Sequence, residues 1–356
     1  MTFRKHSSRD DGSHALPWRR ERSVAITPGV VEDGIIHLVY TRKKSSHLTP
    51  LEPARRPTLS ALAIALIVVS AVLHAGWNLL GKRGEPSLAF FARAMAAGSM
   101  LYAPLLFWGP SPLRLPDVFW GWLIATGACQ ALYMGGLAWA YARGEVSLLY
   151  PLARALPVLL VPAVALPWLT TSTLNGGDIL GMALIAASAL VMPLPHWHAF
   201  RLSRYLTPAL GFVLLAAVGT TGYSVIDKHA LGLMTAHGYT PLQAGLHYMV
   251  LQAMTTWLWM WPLVRALPNE RHAARRLHRS PAARRAWLTG AMILGTYGLV
   301  LIAMSTSADV SHVVALRQLS IPLGVLAAGY WFRERLTPLR LGAIAFMLGG
   351  LALVAW

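Results

Sequence analysis

Two arginines stand inside apolar runs long enough to enter a bilayer. Arg154 lies in "EVSLLYPLARALPVLL" (Glu145–Leu160) and Arg317 in "DVSHVVALRQLSIPLG" (Asp309–Gly324). A central Arg in such a helix costs about 2.5–3.5 kcal/mol and usually faces a protein interior or a watery cavity. The chemistry it offers there is bidentate recognition of a carboxylate or phosphonate. Arg154 is eight residues past Val146, where the apolar segment begins, roughly 12 Å along a helix axis. Two other readings of Arg154 stand beside substrate binding: a fixed ion pair with Glu145 or Asp309, and snorkelling to the nearer interface. Gln318 follows Arg317 and takes the place of Arg154 when the two runs are aligned. Pro151 removes one backbone donor, so the helix is expected to weaken around Tyr150 and turn freed carbonyls toward a cavity. A kink that merely shapes packing is the plainer alternative.

A second set of polar residues sits in the other runs. His74 and Asn78 are four apart and share a helical face, with Trp77 beside them. Thr220, Tyr223 and Ser224 repeat that arrangement, followed by Asp227 and Lys228. Gln130, Tyr133 and His247 are further candidates. These would supply a hydrogen-bonding wall and aromatic surface to a small polar solute. Interfacial anchoring is the competing reading for Trp77 and Tyr223. His74 is the one group of its run that titrates near neutrality, although a lone intramembrane His is more often simply hydrogen-bonded. "HWH" (His196–His198) has metal-compatible spacing, but no third ligand lies nearby in sequence, and an interfacial belt fits it better. No Walker loop, GxSxG or HExxH occurs, so no enzyme, metal or cofactor is implied.

The elements that must carry these residues are apolar helices. Of the 356 residues, 55% are hydrophobic and 13% charged, against about 25% charged in an ordinary soluble domain. The net charge of +17 collects in the N-terminal tail and in short connections, a pattern of loops flanking membrane spans rather than a nucleic-acid surface. The lone Cys129 excludes an internal disulfide. Apolar segments of spanning length are expected at 59–80, 87–109, 118–142, 146–168, 177–194, 206–228, 241–264, 286–306, 310–331 and 338–356. Residues 1–57 hold 11 of the 31 Lys and Arg and have no periodic apolar face. They read as a disordered tail, or equally as functionless residues translated from an upstream start codon, and not as a signal peptide.

The ten segments repeat as five plus five. "GWNLLGK" (Gly76–Lys82) aligns with "GYSVIDK" (Gly222–Lys228), and the two arginine-bearing runs align with each other. An odd number of spans per copy inverts the second copy in the bilayer, the arrangement of secondary transporters with a site near the midplane.

The stretches "LHAGWNLLGKRG", "WAYARGEVSLLYPLARALPVLL" and "VVALRQLSIPLGVLAAGYWFRERLTPLRLGAIAFMLGGLALV" resemble the EamA family of the drug/metabolite transporter superfamily, over about residues 59–356. The most specific piece is Glu334 to Gly342. The resemblance implies an all-α membrane protein of ten transmembrane helices, in two inverted EamA-like repeats at 59–194 and 206–356. It implies movement of small metabolites or drugs, often export, across a cell membrane (the inner one in a Gram-negative cell). The first copy departs from the pattern, with "WLTTSTLNGGD" where the second has "WFRERLTP". Partners would be a small-molecule metabolite and the lipid bilayer, with no nucleic acid. A membrane-embedded lipid enzyme and a non-transporting interaction protein are the alternatives from other classes.

Orientation sets two expectations against each other. The resemblance implies both termini in the cytoplasm. The odd-numbered connections carry 15 Lys and Arg, whereas the even-numbered ones carry Arg114 and Lys228 alone. By the positive-inside rule this favours both termini outside.

Overall fold

The computed structural model describes residues 60–81, 87–143, 146–165, 174–194, 196–199, 206–278, 282–307, 309–332 and 336–355. Among them there are helices, turns and no strand. The helices are α1 (Ala61–Gly81), α2 (Leu88–Tyr102), α3 (Asp117–Tyr141), α4 (Val146–Ala165), α5 (Gly176–Val191) and α6 (Ala209–Ala236). They continue with α7 (Pro241–Ala266), α8 (Pro268–His278), α9 (Ala282–Thr306), α10 (Val310–Leu316), α11 (Ser320–Phe332) and α12 (Pro338–Ala355).

Local chemistry starts these helices where the orphan N–H groups find side-chain acceptors. Ser87 accepts from Phe90 N to open α2, and Thr240 with Gln243 forms a capping box on α7. In "LNGGD", Asn175 and Asp178 form the capping box of α5. Asp309 accepts from Ser311 N at 2.8 Å to open α10.

Six helical stretches among the described residues are long and apolar enough to cross a membrane: 88–107, 117–141, 209–236, 282–306, 310–327 and 338–355. Shorter apolar helices cover 61–76, 151–165 and 176–191. Large apolar side chains such as Val68, Val72, Leu132, Leu258, Trp259 and Phe346 point outward, while Ala dominates the buried core. Apolar outside and small residues at the crossings is membrane-protein packing. The crossings are tight. A Cβ on Gly219 of α6 would stand 2.5 Å from the Cys129 carbonyl oxygen of α3, and one on Gly290 of α9 would stand 2.1 Å from the Ala94 carbonyl oxygen of α2.

The packed pairs include α3 with α6 and α1 with α9, α2 with α9 and α3 with α7, and α4 with α6 and α1 with α11. Helix α5 packs on α12, and α2 on α7.

Three expectations are corrected here. First, α4 runs unbroken through Pro151, Pro157 and Pro162. The irregular turn falls instead at Arg317–Leu319, a 3-10 segment between α10 and α11. Pro322 explains it: its ring crowds the Gln318 carbonyl and it has no N–H to return to it. Second, the sixth segment does not end at Lys228, because α6 continues to Ala236. Lys228 reaches out of the helix and donates from Nζ to the Met304 carbonyl at 2.9 Å and to the Ser307 carbonyl, a cation on the C-terminal end of α9. Third, the Arg-rich connection before α9 holds α8. Its Glu270 is buried and accepts from Ala89 N at 3.0 Å and Trp139 Nε1 at 3.0 Å, tying α8 to the N-terminus of α2.

Candidate central cavity

A cavity opens among α1, α2, α3, α4, α6, α7, α9 and the 317–319 turn. Counting its mouth, the space free of protein atoms is about 630 Å³. One part of its wall is polar, with Ser70, His74, Gln130, Arg154, Gln252 and Arg317. Another part is soft and apolar, with Met95, Met134, Met249, Ile293 and Val300. Three tyrosines lie between: Tyr133 meets Tyr223 edge-on at 5.9 Å, and Tyr223 meets Tyr297 at 5.7 Å.

The irregular turn positions the cationic part. Because the helix is broken there, the Arg317 carbonyl is available sideways, and Arg154 Nη2 donates to it at 3.0 Å. The same Nη2 donates to Ser320 Oγ at 2.9 Å. This bond set takes the place of an ion pair with Asp309, which caps its own helix. Arg154 is 7% exposed, so its charge stays in the bundle, and its Nε has no hydrogen-bond partner among the described residues. Arg317 donates a long hydrogen bond of 3.5 Å to Tyr223 Oη. Its guanidinium carbon lies 5.2 Å from the Tyr297 ring centroid, a cation–π contact. The two arginines are therefore fixed by neutral oxygens and ring faces, which leaves their charge for an incoming anion.

Behind the wall is Asp227, with no exposed surface. Its Oδ1 accepts from Thr126 Oγ1 of α3 at 2.5 Å, from Tyr248 Oη of α7 at 2.8 Å and from Gln252 Nε2 at 3.1 Å. Its Oδ2 accepts from Gln252 Nε2 at 2.9 Å and from Tyr297 Oη of α9. The carboxylate thus joins α3, α6, α7 and α9 at one point. Tyr297 and Gln252 belong both to this cluster and to the cavity wall.

Of the residues expected from sequence, His74, Gln130, Tyr133, Arg154, Tyr223 and Arg317 come together around the cavity. The side chains of Trp77, Asn78 and Tyr150 lie outside the described residues, as do Glu145 and Glu334. Ser224 is fully buried away from the cavity wall. Gln318 also misses the wall, because it turns back along its helix and donates from Nε2 to the Val314 carbonyl at 2.9 Å. His247 pairs through Nε2 with the Trp108 carbonyl at 2.8 Å and holds the turn after α2. His196 and His198 are exposed.

Sequence reading missed Tyr297, Gln252 and the role of Asp227. Tyr297 and Gln252 sit in apolar runs as isolated polar groups, and that was the available signal. In the sequence, Asp227 and Lys228 simply follow Thr220, Tyr223 and Ser224 in the polar set, with no role of its own for the carboxylate.

No family model matches the chain, and no curated protein matches it. Among 27 matching solved chains is one described as "Crystal structure of protein". It aligns over 82% of this chain and 96% of its own at 16% identity, with a TM-score of 0.60. At that identity the likeness concerns the fold alone.

Proposed function

We propose that this protein is a secondary transporter that carries a small polar metabolite with an anionic or zwitterionic group across the cell membrane by alternating access. The observation that carries the reading is a cavity inside an apolar-surfaced helical bundle, with Arg154 and Arg317 in its wall. Buried guanidiniums are costly in such a setting, and an anionic solute offsets that cost when it binds. The mixed wall of arginines, tyrosines and methionines suits a solute with a charged head and a less polar body.

In this reading the ten apolar segments all span the membrane, as two inverted five-helix copies of EamA type. The helix pairing supports it. Numbering the segments one to ten, α3 with α6 answers α9 with α1, and α2 with α9 answers α7 with α3. Likewise, α4 with α6 answers α11 with α1. Exchanging the two copies maps each pair onto its counterpart, and two copies meeting across a cavity can open it to either side. Export follows from the family resemblance, and the protein acts as a carrier, not an enzyme.

Untargeted metabolite profiling of a deletion and an overexpressing strain tests this. One solute should accumulate in the deletion and deplete in the overexpressor, and Arg154→Ala should erase the overexpression effect at equal membrane abundance. Profiles identical in all strains would overturn the reading.

A further inference from the structure

Asp227 is a buried carboxylate held by neutral donors, with Arg317 of the cavity wall within electrostatic reach of it. In this conformation every contact to it is a donor: Thr126 and Tyr248 hydroxyls on Oδ1, Tyr297 hydroxyl on Oδ2, and the Gln252 amide on both. That set fits the ionised carboxylate, which only accepts. The titratable and charged groups facing it are few. Cys129 faces it from α3, Tyr248 from α7 and Tyr297 from α9. Arg317 lies beyond the Tyr297 ring. Helices α4 and α10 also pack on α6. From α4, Arg154 turns to Arg317 and Ser320. At α10, Asp309 lies within electrostatic reach of Lys228, and His312 pairs with Asp178 at 3.2 Å.

The anion is therefore held by neutral donors arriving from three helices other than its own. A buried carboxylate that loses such donors takes up a proton, because the bare charge is far too costly in a low dielectric. Helices α3, α6, α7 and α9 are among those that wall the cavity. Where alternating access moves any of these four past another, the movement withdraws donors from Asp227.

We infer that Asp227 is a proton-binding site whose loading and unloading accompany the opening and closing of the cavity. The inference rests on the transport reading above and makes transport proton-coupled. The proton comes from hydronium in water entering the cavity, breaking one O–H bond there and forming one on Oδ2. It returns to water on the opposite side when the donors reassemble. Tyr297 and Gln252 touch both the cavity and Oδ2, so the path is one side chain deep.

The test uses the full chain in liposomes on a solid-supported membrane, with pH jumps and no metabolite, so the probe is the proton itself. Wild type should give a transient charge displacement that saturates with pH. Asp227→Asn should reduce it at least tenfold. Tyr248→Phe lies outside the cavity wall and removes one donor to the anion. The protonated form is then favoured, so the midpoint should move up by about one pH unit. This second variant keeps the test sharp if Asp227→Asn fails to fold.

A wild type without a pH-jump signal would overturn the inference. So would a full-sized signal from Asp227→Asn, or a Tyr248→Phe midpoint unmoved or lowered. A signal from sodium jumps at constant pH, with none from proton jumps, would overturn it as well. Exchange of the profiled metabolite at equal pH on both sides tests the transport reading by itself. Exchange without a proton signal removes this inference alone, whereas a proton signal without exchange removes the transport reading and the coupling with it.

Discussion

Asp227 and Arg154 are both buried charges, yet their surroundings treat them in opposite ways. Asp227 is surrounded by four donor side chains and shows no surface. Arg154 uses one nitrogen on two neutral oxygens, leaves Nε unpartnered among the described residues, and borders the cavity. A fully satisfied buried charge ties helices together, whereas an incompletely satisfied one beside open space is ready for a ligand. The same bundle thus separates a joint from a binding wall, with Tyr297 and Gln252 shared between them.

Breaking the joint should have the largest effect. Asp227→Leu leaves the Thr126, Tyr248, Tyr297 and Gln252 donors without their acceptor. A loss of roughly 2–4 kcal/mol is expected, read as a lower thermal unfolding midpoint and poor monodispersity in detergent. Arg154→Ala attacks the wall instead. Transport should fall roughly 10- to 100-fold, the worth of a charged hydrogen bond, with the unfolding midpoint nearly unchanged. A large loss of stability in this variant would make Arg154 a joint too, and the comparison would collapse.

Arg317→Lys keeps the charge above the Tyr297 ring but loses the planar fork. A three- to tenfold rise in half-saturating metabolite concentration is expected, measured by exchange in vesicles. Tyr223→Phe removes the long bond to Arg317 and keeps the ring stacking with Tyr133 and Tyr297. Its effect should be the smallest, about twofold on the same measurement.

Much of this was legible in the chain. Helix lies on each of the ten expected apolar stretches, and six of the helical stretches meet the length and hydropathy needed to cross a membrane. An Arg inside an apolar run has few places to go, so Arg154 and Arg317 were readable as cavity residues without coordinates. Tyr133, Gln130 and His74 followed from the same logic. Ser224 and Gln318 did not reach the wall, because spacing along a helix gives a face but not its rotation toward a neighbour. Helix α8 was missed because its charged sequence resembles a loop until Glu270 is seen to reach the α2 N-terminus.

What the sequence determined by itself is the class of element and its environment. Apolar runs of spanning length bury their backbone polar groups in helices, because a bilayer leaves them no other partner. Only the tertiary structure decided which polar side chains meet. Thr126, Asp227, Tyr248, Gln252 and Tyr297 come from four helices; Tyr248 and Gln252 are one turn apart on α7, and the other members are separated from them and from each other by 21 residues or more. Their convergence depends on helix rotation and on glycine crossings such as Gly219 against Cys129, where the backbones approach too closely for any side chain. An aspartate at an apparent helix end and an aspartate at the junction of four helices read identically in one dimension, and packing is what distinguishes them.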